Sequence, residues 1–188
     1  MSFCFVTFKN QIRIIGGQWR GRKITFLPEK NLRPTLDRIR ETLFNWLAPV
    51  IWQSSCLDLF AGSGALGFEA LSRGAKEVIF IENNKASYDQ LITNSKILQC
   101  KNANFYLLQA ENFLLNTENK FNIIFLDPPF GENIITHICS LILEKKILLT
   151  NGYLYIESEL SDFKLPKELV LLKEKKAGNV HYFLFTLT

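Results

Sequence analysis

The chain has 188 residues, of which 47% are hydrophobic and 21% are charged, values typical of one folded domain with a small extension. This composition excludes a chain that is disordered throughout, and no apolar run approaches the roughly 18 residues that a membrane-spanning helix requires. The apolar start of the chain does not read as a secretory signal, because no basic residue precedes it and Lys9 interrupts it. We therefore expect a cytoplasmic protein that does not enter a membrane.

Positive charge is concentrated near the amino terminus. Residues 1–50 contain nine Lys/Arg against three Asp/Glu, whereas residues 51–188 contain thirteen against fifteen. This asymmetry is typical of a protein that binds a polyanion, with a solvated basic surface as the alternative. The sequence predicts a basic N-terminal unit, residues 1–48, and a second unit, residues 49–188, divided where Ala48-Pro49 closes a helical pattern.

The basic unit is predicted to form a β-hairpin followed by a helix. Residues 11–15 and 22–26 have the pattern of two strands, and the glycines between them favour a turn. A helix is predicted over residues 35–47, because Pro34 precedes it, Thr35 can cap it and apolar residues recur at helical spacing.

Strands then alternate with helices along the second unit. Strands are predicted over residues 55–60, 77–81, 103–108, 121–126 and 153–156, and helices over residues 65–72, 85–98, 111–115 and 132–144. Residues 170–173 and 180–187 form a closing pair of strands around a turn at 177–179. The pattern predicts an α/β fold with a mostly parallel seven-stranded sheet, an antiparallel last strand and helices on both faces.

The cysteines and histidines are not predicted to form a metal-binding or catalytic site. The four cysteines form no Cys-x-x-Cys pair, so we expect neither a metal site nor disulfides, and we expect each to be a small buried or half-buried hydrophobe. Both histidines lie in apolar surroundings and are not predicted to act in catalysis or to bind a ligand. These residues are Cys4, Cys56, Cys100, Cys139, His137 and His181.

A glycine-rich turn follows the first strand of the second unit. Gly62, Gly64 and Gly67 match the Gly-x-Gly-x-x-Gly pattern, in which glycines form a tight turn and let the backbone approach a ligand closely. Glu82 ends the next strand, twenty residues after Gly62, where a carboxylate can accept hydrogen bonds from both hydroxyls of a ribose. A nucleoside-containing cofactor is predicted, and the turn alone does not select which one.

The segment Asp127-Pro128-Pro129-Phe130 follows the fourth predicted strand of the sheet. Two consecutive prolines remove two amide donors and stiffen the turn, so the Asp127 side chain and the Pro128 carbonyl are both available as acceptors. Phe130 adds a flat face on which a ring can stack. Two acceptors beside an aromatic ring suit a planar amino group, and we predict that these four residues form the catalytic site.

The chain resembles one family of methyltransferases over nearly its whole length. Asp58-Leu59-Phe60-Ala61-Gly62-Ser63-Gly64 together with Asp-Pro-Pro-Phe resembles S-adenosylmethionine-dependent amino-methyltransferases of the Rossmann-like class. Residues 13–23, residues 32–47 and Glu69-Ala70-Leu71-Ser72-Arg73-Gly74 resemble, more narrowly, the 16S ribosomal RNA guanine-N2 methyltransferases that act on guanine 966. The resemblance implies the fold, the cofactor S-adenosylmethionine and a 16S rRNA substrate.

The resemblance also implies roles for particular residues. The cofactor would be held by Asp58, Phe60, Ala61, Gly62, Ser63, Gly64, Glu82, Asn83, Ala110 and Glu111. RNA would be bound by Arg13, Arg20, Arg22, Lys23, Arg33, Arg38 and Arg40. Two positions depart from the family pattern: Asn84 stands where an acidic residue is usual, and Gln109 where Asp or Asn is frequent. Both lie around the predicted adenosine site, so the group that contacts the adenine ring stays open. No metal is expected.

Three alternatives share part of this pattern. A DNA adenine or cytosine amino-methyltransferase would have both central motifs but usually an added target-recognition segment, for which this chain has no room. A nicotinamide-dependent dehydrogenase would explain the glycine turn but not Asp127-Pro128-Pro129-Phe130, which we call the acceptor loop. An inactive RNA-binding scaffold would not need this loop. The substrate is expected to be an assembling or assembled small ribosomal subunit, bound by a monomer.

Overall fold

A seven-stranded sheet with helices on both faces organises the chain. The computed structural model describes residues 10–27, 37–129, 132–159 and 163–188. In chain order the elements are β1 (Asn10–Arg13), a short 3-10 helix (Gly17–Trp19), β2 (Lys23–Phe26), α1 (Asp37–Leu47), β3 (Ser55–Asp58), α2 (Ala65–Ser72), β4 (Glu77–Glu82), α3 (Lys85–Leu98), β5 (Ala103–Leu107), α4 (Ala110–Asn116), β6 (Phe121–Leu126), α5 (Glu132–Glu144), β7 (Leu148–Ser158), β8 (Leu169–Ala177) and β9 (Val180–Leu187).

The strand order confirms the predicted fold. The sheet runs β5-β4-β3-β6-β7-β9-β8, and β1 pairs with β2 as a separate antiparallel hairpin. The strands from β5 to β7 are parallel, whereas β9, the last strand of the chain, is antiparallel to both of its neighbours. The chain winds outward from β3 to β5 and then returns to β6 on the other side of β3. This change of direction makes the gap between the carboxyl ends of β3 and β6 the place where such sheets bind ligands.

Alternate residues of the central strands enter two different cores. Phe80 and Phe125 pack with residues of α1, α2 and α3 on one face of the sheet, whereas Ile81 and Leu126 pack towards α4 and α5 on the other. Strands that are covered on both faces are apolar along their whole length, which is why β6 reads as a nearly continuous hydrophobic run.

The basic hairpin is part of the folded body. Ile12, Ile14, Trp19 and Ile24 are buried in the same core as the helices α1 to α3. Gly17 has a φ of 74°, and a Cβ there would lie 1.8 Å from the carbonyl oxygen of Ser72, at the end of α2. The hairpin therefore approaches α2 too closely for a side chain at this position.

Several element bounds differ from those expected. The strand β7 begins at Leu148, ahead of the predicted residue 153, and a bulge in its pairing with β6 lies where Asn151 and Gly152 break the apolar pattern. The strand β3 ends at Asp58 because the next two residues already belong to the turn, and β8 extends to both sides of the predicted residues 170–173. The helix α1 is described from Asp37, so the predicted cap Thr35 lies outside the described residues.

The thiols lie as predicted for small hydrophobic side chains. Cys56 and Cys139 are buried and Cys100 is half-buried, and all three are free, while Cys4 lies outside the described residues. Among the helices of the described ranges, none is both long and apolar enough to span a bilayer.

Candidate active site

The glycine turn lies at the switch point of the sheet and is tied to both neighbouring strands. The amide of Ala61 donates to the carbonyl of Ile81 on β4 at 2.9 Å, and the amide of Leu59 donates to that of Phe125 on β6 at 3.2 Å. Gly64 has a φ of 78°, and a Cβ there would lie 2.6 Å from Leu91. The turn therefore needs glycine both for its backbone conformation and for close packing on α3. Phe60 is half-buried and Ser63 is buried within it.

Asp58 holds the first turn of α2 from the end of β3. Its Oδ2 accepts a hydrogen bond from the amide of Gly67 at 3.0 Å, and the preceding Gly64 has no side chain with which to cap this helix. Burial raises the pKa of Asp58 to about 7, with a smaller contribution from Glu82, and the bond from Gly67 opposes the shift. A Cβ on Gly67 would lie 2.2 Å from the Phe80 ring, so the helix also packs tightly on β4.

Glu82 connects the glycine turn with the start of α3. Its Oε2 accepts from the amide of Gly62 at 2.7 Å, and its Oε1 accepts from the amide of Asn84 at 2.7 Å. An ionised carboxylate offers about four lone-pair positions, so each oxygen can still accept another hydrogen bond. Two backbone donors therefore fix the orientation of a carboxylate that can bind a pair of hydroxyls. Asn83, the next predicted cofactor residue, is exposed beside it.

Asn84 has a structural role that explains its departure from the family pattern. Its Oδ1 accepts from the amides of Ala86 and Ser87 at 2.9 and 3.0 Å, which makes it the N-cap of α3. Asn and Asp are about equally good caps because both present a side-chain oxygen to the first free amides of a helix. The Asn84 side chain therefore caps α3 as well as an aspartate would.

The acceptor loop follows β6 directly. Phe125 pairs with Asp58 across the sheet, so Asp127 and Pro128 emerge beside the chain that enters the glycine turn. Both are half-buried and Pro129 is exposed, whereas Phe130 lies outside the described residues. Because β3, β4 and β6 are parallel neighbours, their carboxyl ends bring the turn, Glu82 and Asp127 to one edge of the sheet.

A buried polar pair lies on β7, next to the strand that carries the loop. The hydroxyl of Tyr155 donates to Glu157 Oε2 at 2.9 Å. Burial, followed by the charges of Glu157 and Asp127, raises the pKa of Tyr155 well above its usual value. The phenol is therefore neutral and acts as a donor at physiological pH.

The predicted adenine region lies at the start of α4. Ala110 is buried as the first residue of this helix, and the preceding Gln109 makes no side-chain cap. Glu111 is exposed and its Oε1 lies 2.9 Å from His137 Nε2 on α5. This contact between α4 and α5 was not foreseen, because no sequence pattern connects residues on two successive helices.

Most of the predicted RNA-binding side chains are exposed. They are Arg13, Arg20, Arg22, Lys23 and Arg38, whereas Arg33 lies outside the described residues. Arg22 also donates to the carbonyl oxygens of Ile97 and Leu98 at the end of α3. A cation is favourable there because carbonyl groups at a helix C-terminus lack intrahelical partners.

The prediction that Arg40 binds RNA is wrong. Its side chain is fully buried, its Nη2 donates to the backbone oxygen of Arg13 at 3.0 Å and to Asp37 at 2.5 Å, and its Nη1 lies 3.7 Å from Glu69. Position 40 shares a helix face with the buried residues Leu43 and Leu47, at spacings of three and seven residues. That spacing was the signal that could have placed Arg40 inside.

Glu69 is the anchor of the hairpin, a role that the sequence did not reveal. This buried carboxylate accepts from the amides of Ile15 and Gly16, both at 2.8 Å, and from Arg73 Nε at 2.7 Å. Ser72, one helical turn further, accepts from the Trp19 amide at 2.9 Å. The motif at residues 69–74 therefore docks the hairpin on α2, and only the spacing of Glu69 and Arg73 hinted at an ion pair.

The glycine turn and the hydroxyl-binding carboxylate are common to enzymes that use nucleoside cofactors. What distinguishes this site is the segment Asp127-Pro128-Pro129, which β6 places beside them and which a nicotinamide-dependent dehydrogenase does not need. The fold and the site together define a Rossmann-like, S-adenosylmethionine-dependent methyltransferase.

Comparisons with known proteins narrow this class. The family model described as "Conserved hypothetical protein 95" matches residues 12–186. Ribosomal RNA small subunit methyltransferase D of Haemophilus influenzae is 47% identical over 183 residues, covering 94% of each chain. The solved structure of the putative methyltransferase yhhF from Escherichia coli is 46% identical, with a TM-score of 0.88 over 95% of this chain and 98% of that one. The structure of the T. thermophilus 16S rRNA N2 G1207 methyltransferase in complex with AdoMet and guanosine is 22% identical, with a TM-score of 0.70. The match covers 96% of this chain and 50% of the T. thermophilus chain, and it shows a shared fold.

This chain belongs to the ribosomal RNA small subunit methyltransferase D family. The match extends through the hairpin as well as the sheet, so the family assignment covers both predicted units.

Proposed function

We propose that this protein transfers a methyl group from S-adenosylmethionine to the exocyclic N2 of a specific guanine in small-subunit (16S) ribosomal RNA. The observation that carries the proposal is the position of Asp127-Pro128-Pro129 directly after β6, at the edge where the glycine turn and Glu82 meet. In our proposal the Asp127 carboxylate and the Pro128 carbonyl are two acceptors. An amino group has two N–H bonds, and the loop offers one acceptor for each.

The residues at this edge fit S-adenosylmethionine. Glu82 keeps two acceptor positions after binding the amides of Gly62 and Asn84, which suits the two hydroxyls of a ribose. The turn from Phe60 to Gly64 offers backbone groups to the methionine part, and the backbone at Ala110 and Glu111 offers them to the adenine. When bound, the cofactor supplies an activated methyl group.

Asp127 and the carbonyl of Pro128 act on the guanine amino group. Its nitrogen is a poor nucleophile because the lone pair is delocalised into the ring. By accepting both N–H bonds, the two groups direct the lone pair towards the methyl carbon, and the stiff loop holds the nitrogen in line. The carboxylate of Asp127 then receives the proton that the nitrogen loses. Phe130 stays a prediction as the ring on which the guanine stacks.

In this proposal the basic N-terminal unit binds the RNA. A base inside a helix must leave its stack to reach this site, so the enzyme has to hold the surrounding backbone. Arg20, Arg22 and Lys23 supply phosphate contacts of the kind that position a nucleic acid without reading its sequence. In this proposal residues 1–48 contact RNA and residues 49–188 bind the cofactor, within a cytoplasmic monomer that acts on an assembling or assembled small subunit.

Substitution of Asp127 tests this proposal. In Asp127→Ala we expect kcat to fall roughly 10²- to 10⁴-fold, the range for loss of a group that handles a proton in the transition state. S-adenosylmethionine affinity, measured by calorimetry, should stay close to wild type. Asp127→Asn keeps one acceptor without the charge, so its kcat should lie between those of the wild type and Asp127→Ala. Near-normal turnover by Asp127→Ala would refute the assignment.

A further inference from the structure

A groove opens at the edge of the sheet opposite to the candidate active site. It has a volume of about 810 Å³ and lies between the turn of the hairpin, the segment before β3 and the loops that precede β4 and β5. The strand β4 has six residues, and each residue of a strand advances about 3.3 Å. The groove at the start of β4 therefore lies about 20 Å from Glu82 at its end. It is thus a surface separate from the cofactor site.

The groove is positively charged. Among the described residues that line it, four are cationic and none is acidic: Arg22, Arg73, Lys76 and Lys101. Arg73 pairs with Glu69, whereas Arg22 donates to neutral carbonyl groups and so keeps its full charge. Lys76 and Lys101 are exposed on the two loops. The groove therefore attracts an anionic partner.

One wall of the groove carries an exposed aromatic ring. Trp52 is 72% exposed, the largest value for a large hydrophobic residue in the described ranges. Its ring lies against Gly74, where a Cβ would be 2.3 Å from Cε3, so the ring packs on the loop before β4 while most of its surface stays exposed. The loop that carries it is fixed, because the amide of Gln53 donates to the carbonyl of Gly74 and the amide of Lys76 donates to that of Ser54. The Trp52 side chain is thus carried by a fixed loop and exposes most of its surface, which a base could stack on.

We propose that this groove binds an unpaired segment of the substrate RNA, with one base stacked on Trp52 and its phosphates near Lys76 and Lys101. Proteins bind single-stranded nucleic acid by such a combination of a basic channel and an aromatic surface. The hairpin turn, which carries Arg20 and Lys23, forms part of the same rim. The proposal rests on the proposed function, since it assigns a second contact to the same RNA.

Trp52 is tested by affinity for protein-free 16S rRNA made by transcription. We expect Trp52→Ala to weaken binding about tenfold, the effect of losing one stacked base, and Trp52→Phe to recover most of it. Of the three tryptophans, Trp19 is buried and Trp46 is half-buried against Tyr182, whereas Trp52 is exposed, so RNA binding should quench the fluorescence of Trp52 in the wild type. Trp52→Phe should bind RNA without this quenching. Undiminished quenching in that variant would overturn the proposal.

The lysines are tested by the salt dependence of binding. Lys76→Gln together with Lys101→Gln should lower the slope of log K against log salt by about 0.7 for each lysine. The matched control, Lys120→Gln together with Lys145→Gln, removes two exposed lysines outside the groove and should leave the slope unchanged. Equal slopes in both double variants would contradict the inference.

Two further results separate this inference from the proposed function. If Trp52→Ala weakened binding only to assembled subunits, and not to protein-free rRNA, the groove would be assigned to a ribosomal protein. That result would overturn the proposal. Failure of the wild type to methylate any small-subunit RNA would instead refute the proposed function.

Discussion

Replacing Glu69 by Gln should destabilise the protein strongly, because this buried carboxylate accepts two backbone hydrogen bonds that dock the hairpin on α2. Its two oxygens accept from the amides of Ile15 and Gly16 at 2.8 Å and from Arg73 at 2.7 Å, and its side chain is fully buried. A glutamine has nearly the same shape but turns one acceptor into an NH₂ donor. That donor must face either a backbone amide or the arginine, so at least one pair becomes repulsive.

The size of the effect follows from the burial of the charges. Removing one partner of a buried ion pair costs about 3–5 kcal/mol, since the other charge stays without compensation. For a chain of this length about 2–4 °C are lost per kcal/mol, so the melting temperature should fall by about 6–20 °C. Urea unfolding followed by circular dichroism measures the free energy directly, and the amides of Ile15 and Gly16 should exchange hydrogen faster.

The control is an exposed pair of the same spacing. Asp89→Asn removes the contact of Asp89 with Lys85 on α3, which is exposed and should contribute about 0.5 kcal/mol or less. A loss below about 1 kcal/mol in Glu69→Gln, comparable to a surface pair, would refute the account of how the hairpin is held.

Two other predictions concern charged groups. Burial raises the pKa of Asp58 from 3.8 to about 7, so the folded state binds a proton more tightly than the unfolded state and the wild type should lose stability as the pH rises from about 4 to about 7. Asp58→Asn should show a flatter profile in urea unfolding at a series of pH values, and equal profiles would contradict the raised pKa. Arg20→Gln should lower the salt slope of RNA binding by about 0.7–0.9 without a change in stability, whereas Arg40→Gln should reduce stability and leave the slope of the folded protein intact. A lower slope in Arg40→Gln would restore its rejected role.

The edge of the sheet at which the glycine turn, Glu82 and Asp127 meet could be predicted from the sequence, because it follows from the order of strands and helices. Strands alternating with helices predict a parallel sheet, and residues that follow the ends of parallel neighbours must meet at one edge. Glu82 and Asp127 were therefore found from position alone. The pattern did not supply the partner of each side chain, so it did not reveal that Asp58 accepts a hydrogen bond from the amide of Gly67.

The roles of side chains in the basic N-terminal unit were predicted less well. The RNA-binding prediction treated the arginines of the basic unit alike and gave Arg40 the same role as Arg20, although the position of Arg40 on the buried face of α1 places it inside. Trp52 carries no periodic signal, because it lies in a short turn, and its place in a basic groove depends on loops that are distant in sequence. Such contacts between separate segments depend on the tertiary structure.

The most direct test of the account is to map the methylated atom. Purified protein, small-subunit ribosomal RNA and S-adenosylmethionine with a labelled methyl group would be incubated, and the digested RNA analysed by mass spectrometry. We predict label on the N2 of one guanine, and its loss in Asp127→Ala. Label on another atom or base, or transfer to DNA in preference to this RNA, would contradict the assignment of the acceptor loop to a guanine amino group.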